Sequence, residues 1–175
     1  MIKLRKLHLK DVPYILEWMH DLSISDMFNK DMYHMTNKDV EKFCVDSSKD
    51  LDLNSCNSLH FAIIEDEDDE YRGTISLKNI DYENFSAEYA VSIRKKYHGT
   101  GTAEEATRLI LEKGFSDYGL HRIYLSVLEN NKRAIHFYEK VGFVYEGTAR
   151  ESINKNNKFI DLRLYSMLYS EWKNN

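Results

Sequence analysis

The spacing of apolar residues changes several times along this chain, and each change predicts a new element. Ile2, Leu4 and Leu7 form a short apolar pattern that suits a first strand. Val12, Ile15, Leu16 and Met19 then fall on one helical stripe, with Asp11 offered as N-cap and Pro13 in the first turn. A second helix is expected near Thr36, where Thr36 and Asn37 can cap, and its stripe continues through Val40, Phe43 and Cys44. Residues 46–57 are polar and predict a loop. Three strands follow at 59-LHFAIIE-65, 71-YRGTISLKN-79 and 86-SAEYAVSI-93, separated by the acidic run 65-EDEDDE-70 and by 81-DYENF-85.

After residue 99 the period becomes helical again. Ala103, Ala106, Ile110, Leu111 and Phe115 share a face, and Gly119 suits a stop. The segment 122-RIYLSV-127 predicts a strand, and Ala134, Phe137, Tyr138 and Val141 mark another helical face. Two last strands are expected at 143–150 and 158–169. This order predicts an α/β chain with a mixed sheet and one strand–helix–strand crossover after residue 86. Its 175 residues suit one domain, 1–175, with a real core.

Composition narrows the function. With 42% hydrophobic and 30% charged residues the chain has the make-up of a soluble globular protein. Apolar runs such as 61-FAII-64 are too short to span a bilayer, and MIKLRKL lacks a signal-peptide core. Cys44 and Cys56 lack CxxC spacing, so two reduced thiols in a cytoplasmic protein are expected. A net charge of −5 argues against a general nucleic-acid partner, despite the basic spots 94-RKK-96 and 132-KR-133. The acidic run fits a solvated turn, or else a lure for a cationic substrate. His60, His98, His121 and His136 have no metal-ligand spacing, so no metal is implied; His98 could meet a phosphate and the others fit structural or surface roles.

The stretch 97-YHGTGTAEEA-106 carries the first chemical signal. Gly99 and Gly101 remove Cβ atoms just before a helix whose first amides, at Thr100 to Ala103, lack intrahelical acceptors. That arrangement suits a pyrophosphate. It equally suits a plain helix start, with Thr100 or Thr102 as N-cap and Glu104 and Glu105 complementing the helix dipole. No lysine completes a Walker loop, and Glu104 breaks a GxGxxG pattern.

Downstream, 131-NKRAIHFYEKVGF-143 after the strand 122–127 resembles the GNAT family of acetyl-CoA-dependent N-acetyltransferases. The turn 96-KYHGTG-101 is similar to that family's pyrophosphate loop, with Lys96 where Gln or Arg is usual, and 103-AEEA-106 matches its continuation. The pairs 142-GF-143, 146-EG-147 and 171-EW-172 resemble the ribosomal-protein alanine acetyltransferase-like branch; polyamine-acetylating relatives share 134-AIHFYEKVGF-143. The resemblance implies a mixed, mostly antiparallel sheet of six to seven strands flanked by about four helices, with two parallel strands splayed at the coenzyme site. It implies acetyl-CoA as co-substrate, held by Ile93, Arg94, Lys96, His98, Gly99, Thr100, Gly101, Thr102, Ala103 and Asn131. It also implies pairing into a homodimer through the C-terminal strands.

Two further residues take catalytic roles from the resemblance. Tyr138, which its apolar face alone would assign to the core, becomes the proton donor to the departing thiolate. Glu88, eleven positions before Gly99, matches a glutamate that faces the acceptor in polyamine-acetylating relatives. The chemistry wants such a base, because a primary alkylamine with a pKa of ~10.4 costs roughly 4 kcal/mol to deprotonate at pH 7. An α-amine near ~8 costs only about 1 kcal/mol. The expected activity is direct acetyl transfer to a primary amine, either a protein N-terminus or a small amine such as a polyamine or aminosugar. A coenzyme-binding sensor without turnover, or a nucleotide-binding regulatory module, are the alternatives. Asp26, Asp31, Asp39 and Glu41 with the acidic run would attract a polycation, but Lys30 in 28-FNKDMY-33 replaces a glutamate of the polyamine branch. Phe28, Tyr33, Tyr82 and Phe85 suit core positions, or an acceptor cleft.

Overall fold

Sheet and helices follow the period changes closely in the computed structural model, which describes residues 1–49 and 57–174. Strand β1 (Ile2–Lys6) leads through a 3-10 turn into α1 (Val12–Met19). Next come α2 (Leu22–Ser25), α3 (Asn37–Ser48), β2 (Leu59–Glu65), β3 (Tyr71–Asp81) and β4 (Ser86–Ile93). Helix α4 (Thr102–Glu112), β5 (Arg122–Leu128), α5 (Lys132–Lys140), β6 (Val144–Lys155), β7 (Lys158–Leu168) and α6 (Tyr169–Lys173) complete the chain.

Departures from the sequence reading have local causes. Helix α3 runs on to Ser48, into the stretch 46–57 expected as loop, because Thr36 and Asp39 cap its start and a Lys42–Asp46 pair supports its polar last turn. The rest of that loop, from 50 to 56 and including Cys56, lies outside the described residues. The short α2 was not expected; Asp21 caps it by accepting the Ser23 N–H at 2.9 Å. Asp11 stands at the N-cap of α1 without capping it. Its buried carboxylate instead accepts from the His8 N–H and, at 2.7 and 2.8 Å, from the Arg5 guanidinium. Strand β6 reaches Lys155 rather than 150, and α6 follows β7, started by Glu171 accepting the Leu168 N–H.

The seven strands lie in the order β1-β2-β3-β4-β5-β7-β6, and β4–β5 is the parallel neighbour pair in this otherwise antiparallel sheet. Each face carries its own core. Ile63, Ile75 and Leu77 pack with Ile110, Leu111 and Phe115 on the α4 side. Ala62 and Ile64, one residue either side of Ile63, pack with Ile15, Trp18 and Cys44 beneath α1 and α3. Burial on both faces explains why 61-FAII-64 is continuously apolar instead of alternating. Cys44 is a buried free thiol whose burial pushes its pKa up to about 11. Among the described residues no helix is long and apolar enough to cross a membrane.

The acidic run is the exposed turn that was expected, and most of its carboxylates are drawn into local ion pairs rather than held free as a lure. Asp66 pairs with Lys3 at 2.5 Å, Asp69 with Arg5 at 2.6 Å and Lys10, and Glu65 with Arg72. Glu70 accepts from Arg94 at 2.9 Å, from the Tyr97 hydroxyl at 2.5 Å and from Lys96. It thereby ties the 3-10 turn Lys95–Tyr97, which feeds the glycine turn, to the start of β3. Bonds from Lys96, then Tyr97, hold the Glu70 carboxyl down from 4.5 to about 2. A folded-state pKa below the unfolded one gives stability that is full above pH 4.5 and lost as pH falls toward 2. Glu70→Gln is therefore expected to lower Tm by ~2–4 °C at pH 7, the effect of about 1 kcal/mol in a chain of this size. That gap from wild type should close in melts run between pH 4.5 and 2.

Candidate active site

β4 and β5 pair only from Ser86–Glu88 to Arg122–Tyr124, and beyond that the two strands diverge. The fork opens a cleft of about 990 Å³, walled by Tyr89 to Ile93 on one side and by Ser126 and Val127 on the other. At one end lies the glycine turn, where Gly99 and Gly101 adopt φ of +77° and +83°. Gly101 is the N-cap of α4 and brings no side-chain acceptor. The threonine cap that the sequence also allowed does not form. Thr100 Oγ1 donates to the Tyr97 carbonyl at 2.9 Å and meets the buried Thr102 Oγ1 at 2.8 Å. The Glu105 N–H is the one that reaches back to Gly101, at 3.0 Å, so the amides of Thr102, Ala103 and Glu104 precede the first helical bond. A Cβ at Gly99 or Gly101 would meet no protein atom within 4 Å. The glycines answer to positive φ and to the open space beside the turn, which fits a polyanion close to the backbone.

The expected coenzyme-binding residues divide into two groups. Ile93, His98, Gly99, Thr100, Gly101, Ala103 and Asn131 line the cleft. Arg94, Lys96 and the buried Thr102 do not. Arg94, 5% exposed, points to the α1 face, where Glu17 takes its guanidinium at 2.7 and 3.0 Å and the Tyr14 ring lies 4.4 Å beneath it. Lys96 is spent on Glu70. Both residues brace the turn from outside the cleft. The guanidinium that does reach the cleft belongs to Arg133, which the sequence showed only as half of a basic spot. Arg133 donates to His98 Nδ1 at 2.6 Å, and His98 Nε2 donates to the Ile93 carbonyl at 2.9 Å. Burial lowers the His98 pKa, consistent with a neutral ring bridging the two. Asn131 caps α5 by accepting the Ala134 N–H at 3.2 Å.

Tyr138 lines the cleft from α5, packed edge-on against Tyr89 and Phe143 at 6.0 Å each. Burial pushes its pKa up to about 12, so the phenol keeps its proton at neutral pH. Glu88 lies across the fork on β4, half-buried, with Lys78 on Oε1 at 3.0 Å and Asn79 on Oε2 at 2.7 Å. Lys78 faces Glu88 in the β3–β4 register, and the register then slips at a bulge where Asn79 takes φ +50°. The bulge aims the Asn79 amide at the carboxylate. A carboxylate has about four acceptor sites, so two donors leave Glu88 room to accept a further hydrogen bond.

His60, expected as structural, also lines the cleft. Its Nδ1 lies 2.7 Å from Ser76 Oγ, and burial, then the charge of Lys78, brings its pKa down to about 4. Phe28 lines the same end and stacks on Trp18 at 5.3 Å, whereas Tyr33 and Phe85 are exposed rather than core. Among the described residues no three His, Cys, Asp or Glu side chains converge on a metal-sized site.

Comparison with known proteins agrees with this geometry. The family described as Acetyltransferase (GNAT) domain matches residues 2–144. The spermidine N(1)-acetyltransferase of Escherichia coli K12 is 28% identical over 158 residues, covering 90% of this chain and 81% of that protein. The putative ribosomal N-acetyltransferase YdaF of Bacillus subtilis is 34% identical over 101 residues, 58% of this chain and 55% of that protein. The crystal structure of spermidine N-acetyltransferase from Vibrio cholerae with CoA and spermine superposes with a TM-score of 0.86 at 25% identity, covering 98% of each chain. A forked parallel pair, an uncapped glycine turn and a family match over most of the chain lead to one conclusion: this protein belongs to the GNAT acetyltransferase family.

Proposed function

We propose that this chain transfers the acetyl group of acetyl-CoA directly to a primary amine, without an acyl-enzyme. The observation that carries this reading is the divergence of β4 from β5, with the glycine turn at one end and Tyr138 on the wall. Gly99, Gly101 and the amides of Thr102 and Ala103 suit the coenzyme's pyrophosphate, with Arg133 and Asn131 beside them. The inner edge of β4 suits its pantetheine arm; because the Ile93 carbonyl is held by His98, that pairing falls to the residues just before it. When bound, acetyl-CoA supplies an activated carbonyl and a thiolate leaving group.

The chain's own residues manage the protons. The amine nitrogen gains the acetyl carbon as the carbon–sulfur bond breaks; one proton leaves the amine toward Glu88, and one reaches the sulfur from Tyr138. Outright transfer from a phenol near 12 to a thiolate of ordinary pKa, ~8.5, is uphill by roughly 5 kcal/mol. Tyr138 therefore acts in concert with proton loss from the amine rather than ahead of it. Neutral His60 and the Lys78–Glu88 pair form the polar floor of the acceptor end.

CoA release, followed by mass across a panel of primary amines and N-terminal peptides, tests the reading. Turnover is expected for at least one acceptor, and Glu88→Gln is expected to lower kcat/KM by ~10²-fold for an alkylamine and by less for an α-amine. Tight acetyl-CoA binding with no release on any acceptor would overturn catalysis in favour of a coenzyme sensor.

A further inference from the structure

The charges of the cleft do not cancel. Its carboxylates among the described residues are Glu88 and Glu104. Glu104 is taken by Lys140 at 2.6 Å near the glycine turn, and Glu88 by Lys78 at 3.0 Å with Asn79 on its other oxygen. Two cations are left over. Arg133 stands at the coenzyme end beside His98, and Lys30 lines the cleft with Met27, Phe28 and Met32, next to Asn29, whose amide donates to Ser126 on β5 at 3.1 Å.

Lys30 is exposed, and no carboxylate among the described residues lies within ion-pair distance of it. The acids nearest in sequence face elsewhere. Asp31 accepts from the Tyr33 N–H at 3.0 Å and from His34 at 2.6 Å, and the Asp26 carboxylate lies 3.8 Å from Lys155. A polycation would bring further positive charge to an end whose carboxylate is already paired and whose spare group is an ammonium. An anion would be received.

We propose that the acceptor is an amine carrying its own anionic group, a carboxylate or a phosphate, which Lys30 receives while the amine faces Glu88. This rests on the N-acetyltransferase reading of the same cleft and narrows it to a substrate class. Transfer proceeds with the proton balance given above; Lys30 changes only which amine is held.

Binding to the CoA-saturated protein separates this proposal from catalysis. Calorimetric titrations would compare O-phosphoethanolamine, β-alanine, ethanolamine and spermidine on wild type, Lys30→Met and Lys30→Glu. At least one anionic amine should bind about tenfold more tightly than ethanolamine, a factor equal to ~1.4 kcal/mol, and spermidine more weakly. Which anionic amine wins separates phosphate from carboxylate. Lys30→Met should remove the preference and Lys30→Glu should reverse it toward spermidine. Tighter binding of spermidine by wild type, an anionic preference that survives Lys30→Glu, or binding of none of the four would each overturn the proposal. Selective binding without acetyl transfer would leave it standing and overturn only the catalytic reading.

Discussion

Tyr138→Phe is expected to lower kcat by ~10²–10⁴-fold while leaving the KM for acetyl-CoA within about twofold. The ring would keep its edge-on packing against Tyr89 and Phe143, so the fold has no reason to change. Only the hydroxyl is lost, and with it the proposed proton donor on the cleft wall. An interaction made only as the sulfur departs should lower kcat and kcat/KM together. Steady-state kinetics on one good acceptor, with a melt to confirm folding, decides the matter. A variant with wild-type kcat would return Tyr138 to the core role that its apolar face first suggested.

Gly73→Ala should have the largest effect on stability. Gly73 sits in β3 opposite Ile93, and a Cβ there would fall 2.2 Å from the Ser92 carbonyl oxygen and 3.2 Å from Ile93 Cα. Both atoms are backbone, so no rotamer change relieves the clash and β4 must move. A cost of about 3 kcal/mol, or a Tm lowered by ~6–12 °C, is expected. The displaced stretch is the wall of the cleft, so acetyl-CoA affinity should fall with it. A melt with unchanged Tm would show that the strands separate more easily than this packing implies.

Much of this architecture was legible in the sequence. From Leu59 to Lys140 the apolar strand runs of β2 to β4, the helical stripe of α4 and the single strand β5 were bounded by turn residues at each end, and local pattern was enough. The glycine turn was legible because Gly99 and Gly101 lie in front of that stripe. That Asn131 and Tyr138 line the cleft was expected only through the family resemblance, since periodicity alone assigns Tyr138 to the core. What stayed hidden depends on register and direction. That Lys78 faces Glu88 requires the β3–β4 register, and that Asn79 joins them requires the bulge; neither leaves a trace in spacing. Arg94 and Lys96 were expected at the coenzyme from the family resemblance, yet around the 3-10 turn they point toward Glu17 and Glu70. His60 sits on a strand buried from both sides, where nothing local distinguishes a core histidine from one facing a cleft. Arg133 was hidden for the opposite reason, as an ordinary exposed basic residue at a helix start.

The fork between β4 and β5 also makes the sheet conditional. Past Glu88 and Tyr124 the two inner edges hold backbone groups with no strand rung between them. A pantetheine arm carries amides of its own, so an occupant spanning the gap serves as the missing rung. Folding and coenzyme supply are then linked by mass action: at a hundredfold excess over its dissociation constant, a ligand bound only by the folded state adds about 2.7 kcal/mol. Against a typical net stability of roughly 5–15 kcal/mol, that is a large share. The pool that feeds the reaction would also set how long each molecule stays folded.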